Sequence, residues 1–294
     1  MTHTKNNRWF IFYQDQLLLE KKNNAFSIPS GESAPIAIPE GTTVHTLTTP
    51  DGISGKSFYI DSLITETPEY VQMGLRASYD YLPLEHYQAA GKAHEILYWD
   101  RSNRFCPTCG TPLVQKEPIM KKCPDCGKEV YPAISTAILV LVRKEDSLLL
   151  VHARNFKGTF NSLVAGFLET GETLEECVKR EVKEETGLDV KNIQYFGNQP
   201  WPYPSGLMVG FIADYAGGSI RLQYDELSSG NFYTKNNLPE LPRKLSLARK
   251  LIASGIPQQL KKAKLRKVHP PQTNNQERIE KKSVLSIINL CTYS

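Results

Sequence analysis

Residues 166–188, GFLETGETLEECVKREVKEETGL, decide the fold of this 294-residue chain. Thr173, followed three residues later by Glu176, has the pattern of a capping box, which begins a helix. Gly187 suits the residue just after a helix, because glycine accepts the left-handed backbone found there. The stretch therefore predicts a helix over Leu174–Thr186.

Two glutamates fall on the apolar side of this predicted helix. At ~100° per residue, Glu181 and Glu185 lie one turn apart within the apolar stripe, and Glu184 lies at its edge. Burying like charges side by side is costly unless a positive group compensates them. One arginine such as Arg180 cannot neutralise three carboxylates, so we predict Mg²⁺ or Mn²⁺, completed by substrate phosphates and water. The alternative, a solvated acidic helix face, conflicts with this position on the helix.

Four cysteines form two pairs with the spacing of metal ligands. Two residues separate Cys106 from Cys109 and Cys123 from Cys126, and 13 residues separate the pairs. Two tight turns of this kind present four thiolates to one ion, and soft thiolates favour Zn²⁺. Two disulfides or a chance arrangement are the alternatives. Four thiolates leave no position for water, so we expect a structural zinc site.

Composition and charge exclude several classes of protein. With 40% apolar and 22% charged residues, the chain is not disordered throughout. No apolar run approaches the ~20 residues that span a bilayer, and the N-terminus has no signal-peptide cleavage site. We therefore expect a cytoplasmic protein with reduced thiols and no membrane partner.

The positive charge of the chain is concentrated at its C-terminal end. Eight Lys/Arg and two Glu give residues 257–294 a charge of +6, so the rest of the chain has a net charge of 4 − 6 = −2. We expect this tail to be solvated, although it is also suited to contact nucleic acid.

The remaining pattern predicts the domain organisation. Short strands and a helix near Glu85–Asp100 predict an N-terminal mixed α/β domain over residues 1–100, with a scaffold or dimerisation role. The cysteine pairs predict a zinc ribbon over 101–132. Apolar strands mixed with helices predict an α/β (α+β) catalytic domain over 133–258. We expect residues 259–294 to form a basic, flexible tail.

Residues 166–188 resemble, at every defined position, the Nudix box G-x5-E-x7-R-E-U-x-E-E-x-G-U, where U is a bulky aliphatic residue. The resemblance to the Nudix hydrolases implies an α/β/α sandwich and metal-assisted hydrolysis of nucleoside diphosphates linked to another group. It implies Glu181, Glu184 and Glu185 as ligands of Mg²⁺ or Mn²⁺, and orienting roles for Arg180 and Glu172. Either Glu184 or Glu185 is then the general base.

A second motif, QPWPYPSG at residues 199–206, points to one subgroup of the Nudix hydrolases. Its three prolines predict a stiff, extended segment. The run is similar to the SQPWPFPxS signature of the NADH pyrophosphatase (NudC-like) subgroup, which also has a zinc ribbon before its Nudix domain. This implies hydrolysis of NAD(H) to NMN(H) and AMP, removal of NAD caps from RNA 5′ ends, and a homodimer. Asn198, Tyr203 and Gly206 replace the signature's Ser, Phe and final Ser.

Further metal-binding and substrate-binding residues of the subgroup correspond by position to residues of this chain. Its metal contacts imply Ala165, through its carbonyl oxygen, and Glu226. Its substrate-binding residues imply Tyr131, Phe167, Gln199, Pro200, Trp201, Pro202, Tyr203, Pro204, Ser205, Gly206 and Ala248. Two further hypotheses stay open here. One is a Nudix diphosphatase for another nucleotide, such as ADP-ribose or a dinucleoside polyphosphate. The other is a zinc-ribbon protein that binds RNA.

Overall fold

The computed structural model describes residues 6–49, 52–155 and 158–256, which belong to one compact unit spanning residues 1–257. The predicted basic tail, residues 259–294, lies outside the described residues. No helix within the described ranges is long and apolar enough to cross a membrane.

The N-terminal part is a seven-stranded sheet covered by one long helix. Its elements are β1 (Asn7–Tyr13), β2 (Gln16–Lys22), β3 (Ala25–Ser27), β4 (Ser30–Gly31), β5 (His45–Thr48), β6 (Ser54–Tyr59), β7 (Tyr70–Gly74), α1 (Leu75–Ser78) and α2 (Leu84–Ser102). The strand order is β3-β2-β1-β6-β5, with β4 beside β1 and β7 beside β2. Strands β1 and β6 are parallel, and the other pairs are antiparallel.

Strand β1 is buried on both faces of this sheet. Phe10 and Phe12 pack in the cluster that includes Ala90 and Ala93 of α2. Trp9 and Ile11 belong to a second cluster, with Phe58 of β6. The alternation of side chains along a strand explains how one apolar run fills both clusters. The predicted strands here and the predicted helix near Glu85–Asp100 are present.

A small antiparallel sheet follows α2, with strand order β10-β9-β8. Its strands are β8 (Val114–Glu117), β9 (Met120–Lys122) and β10 (Glu129–Val130). Lys121 of β9 is buried and ties this sheet to the end of α2. Its Nζ lies 2.5 Å from a carboxylate oxygen of Asp100 and donates to the carbonyls of Asp100 and Asn103, both at 2.8 Å. A buried ammonium group requires such partners.

The C-terminal part is a mixed six-stranded sheet between two helices. Its elements are β11 (Ser135–Lys144), β12 (Ser147–Ala153), β13 (Val164–Phe167), α3 (Leu174–Thr186), β14 (Asp189–Trp201), β15 (Gly206–Gly217), β16 (Leu227–Thr234) and α4 (Leu247–Gly255). The strand order is β14-β15-β11-β12-β16, with β13 beside β11. Strands β11 and β15 are parallel.

The two helices cover opposite faces of this sheet. Val140 of β11 packs with Val178 of α3, whereas Leu141 packs with Leu251 of α4. Because both faces of β11 are buried, its sequence is a continuous apolar run rather than an alternating one. The predicted α/β/α sandwich is therefore confirmed.

Candidate active site

Helix α3 begins and ends at the predicted residues. The Thr173 hydroxyl accepts from the N–H of Glu176 at 3.3 Å, and the Glu176 carboxylate accepts from the N–H of Thr173 at 2.8 Å. This is the predicted capping box. Gly187 has a φ of +74°, in the left-handed region where glycine is favoured. The local sequence alone thus fixes both ends of the helix that carries the glutamates.

The box glutamates differ in burial as the helical pattern predicts. Glu181 and Glu185 are 9% and 4% exposed. The side chain of Glu184, at the edge of the stripe, is 54% exposed. Two carboxylates therefore face the sheet from one side of α3, and the third reaches solvent.

Gly166 gives the Glu181 carboxylate its space. A Cβ atom at residue 166 would lie 1.8 Å from the carboxyl carbon of Glu181. Strand β13 therefore passes directly beneath this carboxylate, and a side chain at residue 166 would displace it. This contact explains why the first residue of the Nudix-box motif, Gly166, is a glycine.

Arg180 binds three carboxylates of the site. Its guanidinium donates twice to Glu172, at 2.8 and 2.9 Å, and once each to Glu181 at 2.8 Å and Glu184 at 3.1 Å. It also donates to the carbonyl of Phe167 at 2.9 Å. The hydrogen bonds from Arg180 lower the pKa of Glu172 to about 2. The paired contact with Glu172 fixes the plane of the guanidinium, as bidentate pairs do.

Glu185 is left without compensation. Within the described ranges, no basic side chain pairs with its carboxylate. Burial, followed by the charges of Glu181, Glu226 and Glu184, raises the pKa of Glu185 to about 8. Burial also raises the pKa of Glu181, against the opposing effect of Arg180. A site of this kind favours a divalent cation.

Glu226 approaches these carboxylates from the loop between β15 and β16. The N–H of Gln223 donates to the carbonyl of Glu185 at 2.9 Å, and the N–H of Glu226 donates to the carbonyl of Gln223 at 3.0 Å. The loop is therefore anchored to the last turn of α3. This brings the Glu226 charge close enough to act on Glu181 and Glu185.

A cavity of about 530 Å³ adjoins the acidic cluster at Gly166. This volume lies within the ~300–1,000 Å³ that is usual for small-molecule sites. From β13 it is lined by Ala165, Gly166 and Phe167, and from the downstream run by Trp201, Tyr203, Pro204, Ser205 and Gly206. Tyr98, Trp99 and Met208 also line it. The predicted proline-aromatic segment thus shares a cavity with Gly166, the residue that lies against the Glu181 carboxylate of the acidic helix.

Arg76 is a residue of this region that the sequence did not reveal. Its guanidinium lies 4.9 Å from the ring centre of Trp201 and 4.6 Å from that of Tyr203. Such cation–π contacts hold aromatic rings in place. Arg76 lies in the first third of the chain, in a stretch without any motif, so no sequence signal pointed to it.

The four cysteine sulfurs form the second candidate metal site. Sulfur–sulfur distances are 3.5 Å for Cys106–Cys126, 3.4 Å for Cys109–Cys123 and 3.6 Å for Cys109–Cys126. Tetrahedral zinc with Zn–S bonds of ~2.3 Å separates its sulfurs by ~3.8 Å, so the arrangement fits zinc. The thiols are free, which excludes the disulfide alternative. In the part of the chain described, only these cysteines form a group of ligand atoms all within 4.8 Å; the glutamates are less closely gathered.

Comparison with known proteins places the chain in a family. It is 41% identical over 201 residues to a Chromobacterium violaceum protein named NAD-capped RNA hydrolase NudC, covering 67% of this chain and 76% of that protein. The chain belongs to the NudC family of Nudix hydrolases. A Vibrio atlanticus protein of the same name is 42% identical over 175 residues, covering 59% of this chain and 65% of that protein.

Three family models match consecutive parts of this NudC family member. A NADH pyrophosphatase-like rudimentary NUDIX domain matches residues 6–99, a NADH pyrophosphatase zinc ribbon domain matches 101–131, and a NUDIX domain matches 132–254. Among solved structures, a NUDIX hydrolase from Nitrosomonas europaea is similar with a TM-score of 0.42 and 21% identity, covering 48% of this chain and 84% of that one. The resemblance seen in the sequence is confirmed at the level of the family.

Some predicted substrate residues lie away from the cavity. The Gln199 amide accepts from the N–H of Leu247 at 2.7 Å, at the first turn of α4. Ala248, in the first turn of α4, is buried in the core between this helix and the sheet. Tyr131 is exposed and donates to Glu129 at 3.2 Å. Gln199, Pro200 and Pro202 line a separate cavity beside α2. The substrate roles of these residues stay predictions.

Proposed function

We propose that the protein hydrolyses the pyrophosphate bond of NAD(H) to give NMN(H) and AMP, and that it removes NAD caps from RNA 5′ ends. The observation that carries the proposal is the uncompensated, buried Glu185 in an acidic cluster that adjoins an aromatic cavity. Relatives named NAD-capped RNA hydrolase support this choice of substrate.

The acidic cluster is the proposed site of Mg²⁺ or Mn²⁺. Glu181, Glu184, Glu185 and Glu226, with the carbonyl oxygen of Ala165, would hold the ions. When bound, such ions withdraw charge from the pyrophosphate and lower the pKa of a coordinated water. Compensation of Glu185 is the physical reason for binding there, since the structure gives it no other cation in the described ranges.

The protein's own groups position this chemistry and take up a proton. Glu172 fixes Arg180, and Arg180 in turn holds Glu181 and Glu184. The proposed general base, which accepts a proton from the attacking water, is Glu184 or Glu185. Glu184 would have to share its carboxylate with Arg180, whereas Glu185 has no such partner in the described residues.

The cavity beside the cluster is the proposed substrate site. The rings of Phe167, Trp201 and Tyr203 offer flat faces to the planar bases of a dinucleotide. Ser205 and Gly206 complete the same wall of the cavity. Flat apolar faces beside an acidic, metal-binding corner suit a molecule with aromatic ends and a central pyrophosphate.

We also infer a homodimer, in the cytoplasm, with one structural zinc in each chain. Phe167 and Tyr131 are 66% and 53% exposed in a single chain. Large aromatic side chains exposed to this extent are typical of an interface. Sedimentation equilibrium is expected to give 2 × 33.2 kDa, or about 66 kDa; a mass near 33 kDa at all concentrations would contradict the dimer.

Product analysis tests the proposed reaction. The purified protein is incubated with NADH, NAD, ADP-ribose or a diadenosine polyphosphate, with Mg²⁺ or Mn²⁺, and the products are resolved by chromatography. We expect NMNH or NMN together with AMP. Glu185→Gln is expected to lose at least about 100-fold in turnover, and Glu175→Gln, an exposed change of the same chemistry on α3, to keep it.

Two outcomes would contradict the proposal. Turnover of ADP-ribose without any release of NMN or NMNH would assign the site to another nucleotide. Wild-type turnover by Glu185→Gln at saturating Mg²⁺ would show that the acidic cluster does not carry the chemistry. Parallel assays with NAD-capped RNA, following loss of the cap, test the second substrate.

A further inference from the structure

Helix α2 of the N-terminal part lies against the back of residues 199–206, here called the substrate segment. Gly91 is the point of closest approach: a Cβ atom there would lie 3.0 Å from Cγ of Pro202. Glycine is unfavourable inside a helix. Its presence in the middle of α2 therefore reflects this close contact with the segment.

Tyr87 of α2 binds Tyr203, one of the two residues at which this segment departs from the family signature. The hydroxyls of Tyr87 and Tyr203 are 2.8 Å apart. Tyr87 is buried and Tyr203 is half-buried, so neither hydroxyl is freely solvated. The signature has Phe where this chain has Tyr203, so this hydrogen bond depends on a pair of hydroxyls in this chain.

Two polar side chains farther along α2 face the backbone of the same segment. The carboxyl group of Glu95 faces the N–H of Gly206, and the ring of His94 faces the carbonyl of Pro202. Tyr87, Gly91 and these two residues lie along one side of α2, at helical spacing. The contacts reach the segment at Pro202, Tyr203 and Gly206.

Between these contacts, α2 and the segment border a cavity of about 570 Å³, separate from the catalytic one. Gln88, Lys92 and Glu95 line it from the helix, and Pro200 and Pro202 line it from the segment. The back of the segment is therefore held at separate points rather than by continuous packing. Loss of one of these contacts is expected to shift the substrate segment more than it shifts the hydrophobic core.

We propose that α2 positions the substrate segment, with Tyr87 and Glu95 as positioning residues that set where Trp201 and Tyr203 stand in the catalytic cavity. The N-terminal sheet and its helix thereby act on substrate binding, through contacts that never reach the substrate. This inference rests on the proposed function, because it assigns the cavity to the substrate.

The hydroxyl pair is tested by Tyr87→Phe, Tyr203→Phe and the double variant. Each single change removes this hydrogen bond and leaves one hydroxyl without its tyrosine partner, so we expect KM for NADH to rise about fivefold with kcat within about twofold. The double change leaves neither hydroxyl without its partner, so its KM is expected to be no higher than that of either single variant. A merely structural role would lower the melting temperature of the variants and leave KM unchanged.

Glu95 is tested by hydrogen–deuterium exchange, a readout that needs no activity. Glu95→Ala removes the carboxyl that faces the Gly206 amide, so the peptide spanning the substrate segment is expected to exchange at least about tenfold faster. Glu85→Ala, an exposed change of the same kind on α2, serves as the matched control and is expected to leave that exchange unchanged.

These measurements separate the inference from the proposed function. If the wild-type protein released no NMN or NMNH, the proposed function would fail, and the exchange comparison would still decide whether α2 holds the segment. Unchanged exchange in Glu95→Ala would overturn the inference. So would an unchanged KM in both single variants, or a double variant with a higher KM than either.

Discussion

Replacing Glu185 with glutamine is expected to stabilise the magnesium-free protein while it lowers turnover at least about 100-fold. Glu185 is 4% exposed and has three carboxylates as its charged neighbours, Glu181, Glu226 and Glu184. Its pKa is about 8, compared with 4.5 for an ordinary glutamate. The folded chain therefore binds this proton more tightly than the unfolded chain does.

The sign and size of the effect follow from this difference. Since the folded-state pKa is raised, the free energy of unfolding is highest below pH ~4.5 and falls as the pH rises towards ~8. The full difference corresponds to about 5 kcal/mol, at ~1.4 kcal/mol per pKa unit. Local rearrangement that admits water to the carboxylate reduces this, and we expect about 2 kcal/mol to be recovered by glutamine at pH ~8.5. That is a rise of ~4–8 °C in melting temperature.

Calorimetric melts of the wild type, Glu185→Gln and the control Glu175→Gln measure the effect at about pH 5 and about pH 8.5. Magnesium is removed by dialysis, because a chelator would also take zinc from the cysteines. We expect Glu185→Gln to match the wild type at the lower pH and to melt higher at the upper one. Saturating Mg²⁺ is then expected to raise the melting temperature of the wild type but not that of Glu185→Gln.

A Glu185→Gln protein that melts at or below the wild-type temperature at the upper pH would refute this reasoning. A gain of equal size at both pH values would also refute it, because the gain must come from a charge that exists only above the raised pKa. The first result would mean that Glu185 has a compensating partner in the metal-free protein, and the second that the gain does not come from its charge.

Three other predictions follow from the site. Gly166→Ala is expected to displace the Glu181 carboxylate and raise the Mg²⁺ concentration for half-maximal rate by at least about tenfold. The control Gly197→Ala has open space around the added methyl group and is expected to leave that concentration unchanged. The same Mg²⁺ dependence in Gly166→Ala and the wild type would contradict the contact. Cys109→Ser is expected to lower the zinc content, measured by mass spectrometry, from about one per chain to well below it, with loss of thermal stability; retained zinc would contradict the four-sulfur site. Removal of residues 259–294, which carry the whole +6 charge, is expected to weaken the salt dependence of NAD-capped RNA turnover without affecting NADH turnover. An unchanged salt dependence would show that the tail has no such role.

The parts of the fold with strong local signals were predictable from the sequence. Helix α3 was predicted to its end residues, because the Thr173 cap, the Glu176 partner and Gly187 all act within the helix. The apolar runs 134–142 and 148–151 also have the length of strands, and they correspond to β11 and β12 with ends shifted by one or two residues. Burial on both faces made these runs continuous and easy to recognise.

Elements that depend on distant contacts were not predictable. Strand β14 is an edge strand whose residues are mostly exposed, so it has no apolar pattern along Asp189–Trp201. Arg76 reaches Trp201 and Tyr203 only through the packing of the N-terminal part against the substrate segment. The same packing gives Tyr87 and Glu95 their partners. A single sequence does not show which residues 100 positions apart will meet.

The most direct test of the central claim is the position of manganese in crystals of the protein grown with Mn²⁺ and a slowly hydrolysed NAD analogue. We predict anomalous density about 2–2.3 Å from carboxylate oxygens of Glu181 and Glu185, in contact with the pyrophosphate. Crystals that bind the analogue in the cavity, with these carboxylates bare and manganese elsewhere, would contradict the account.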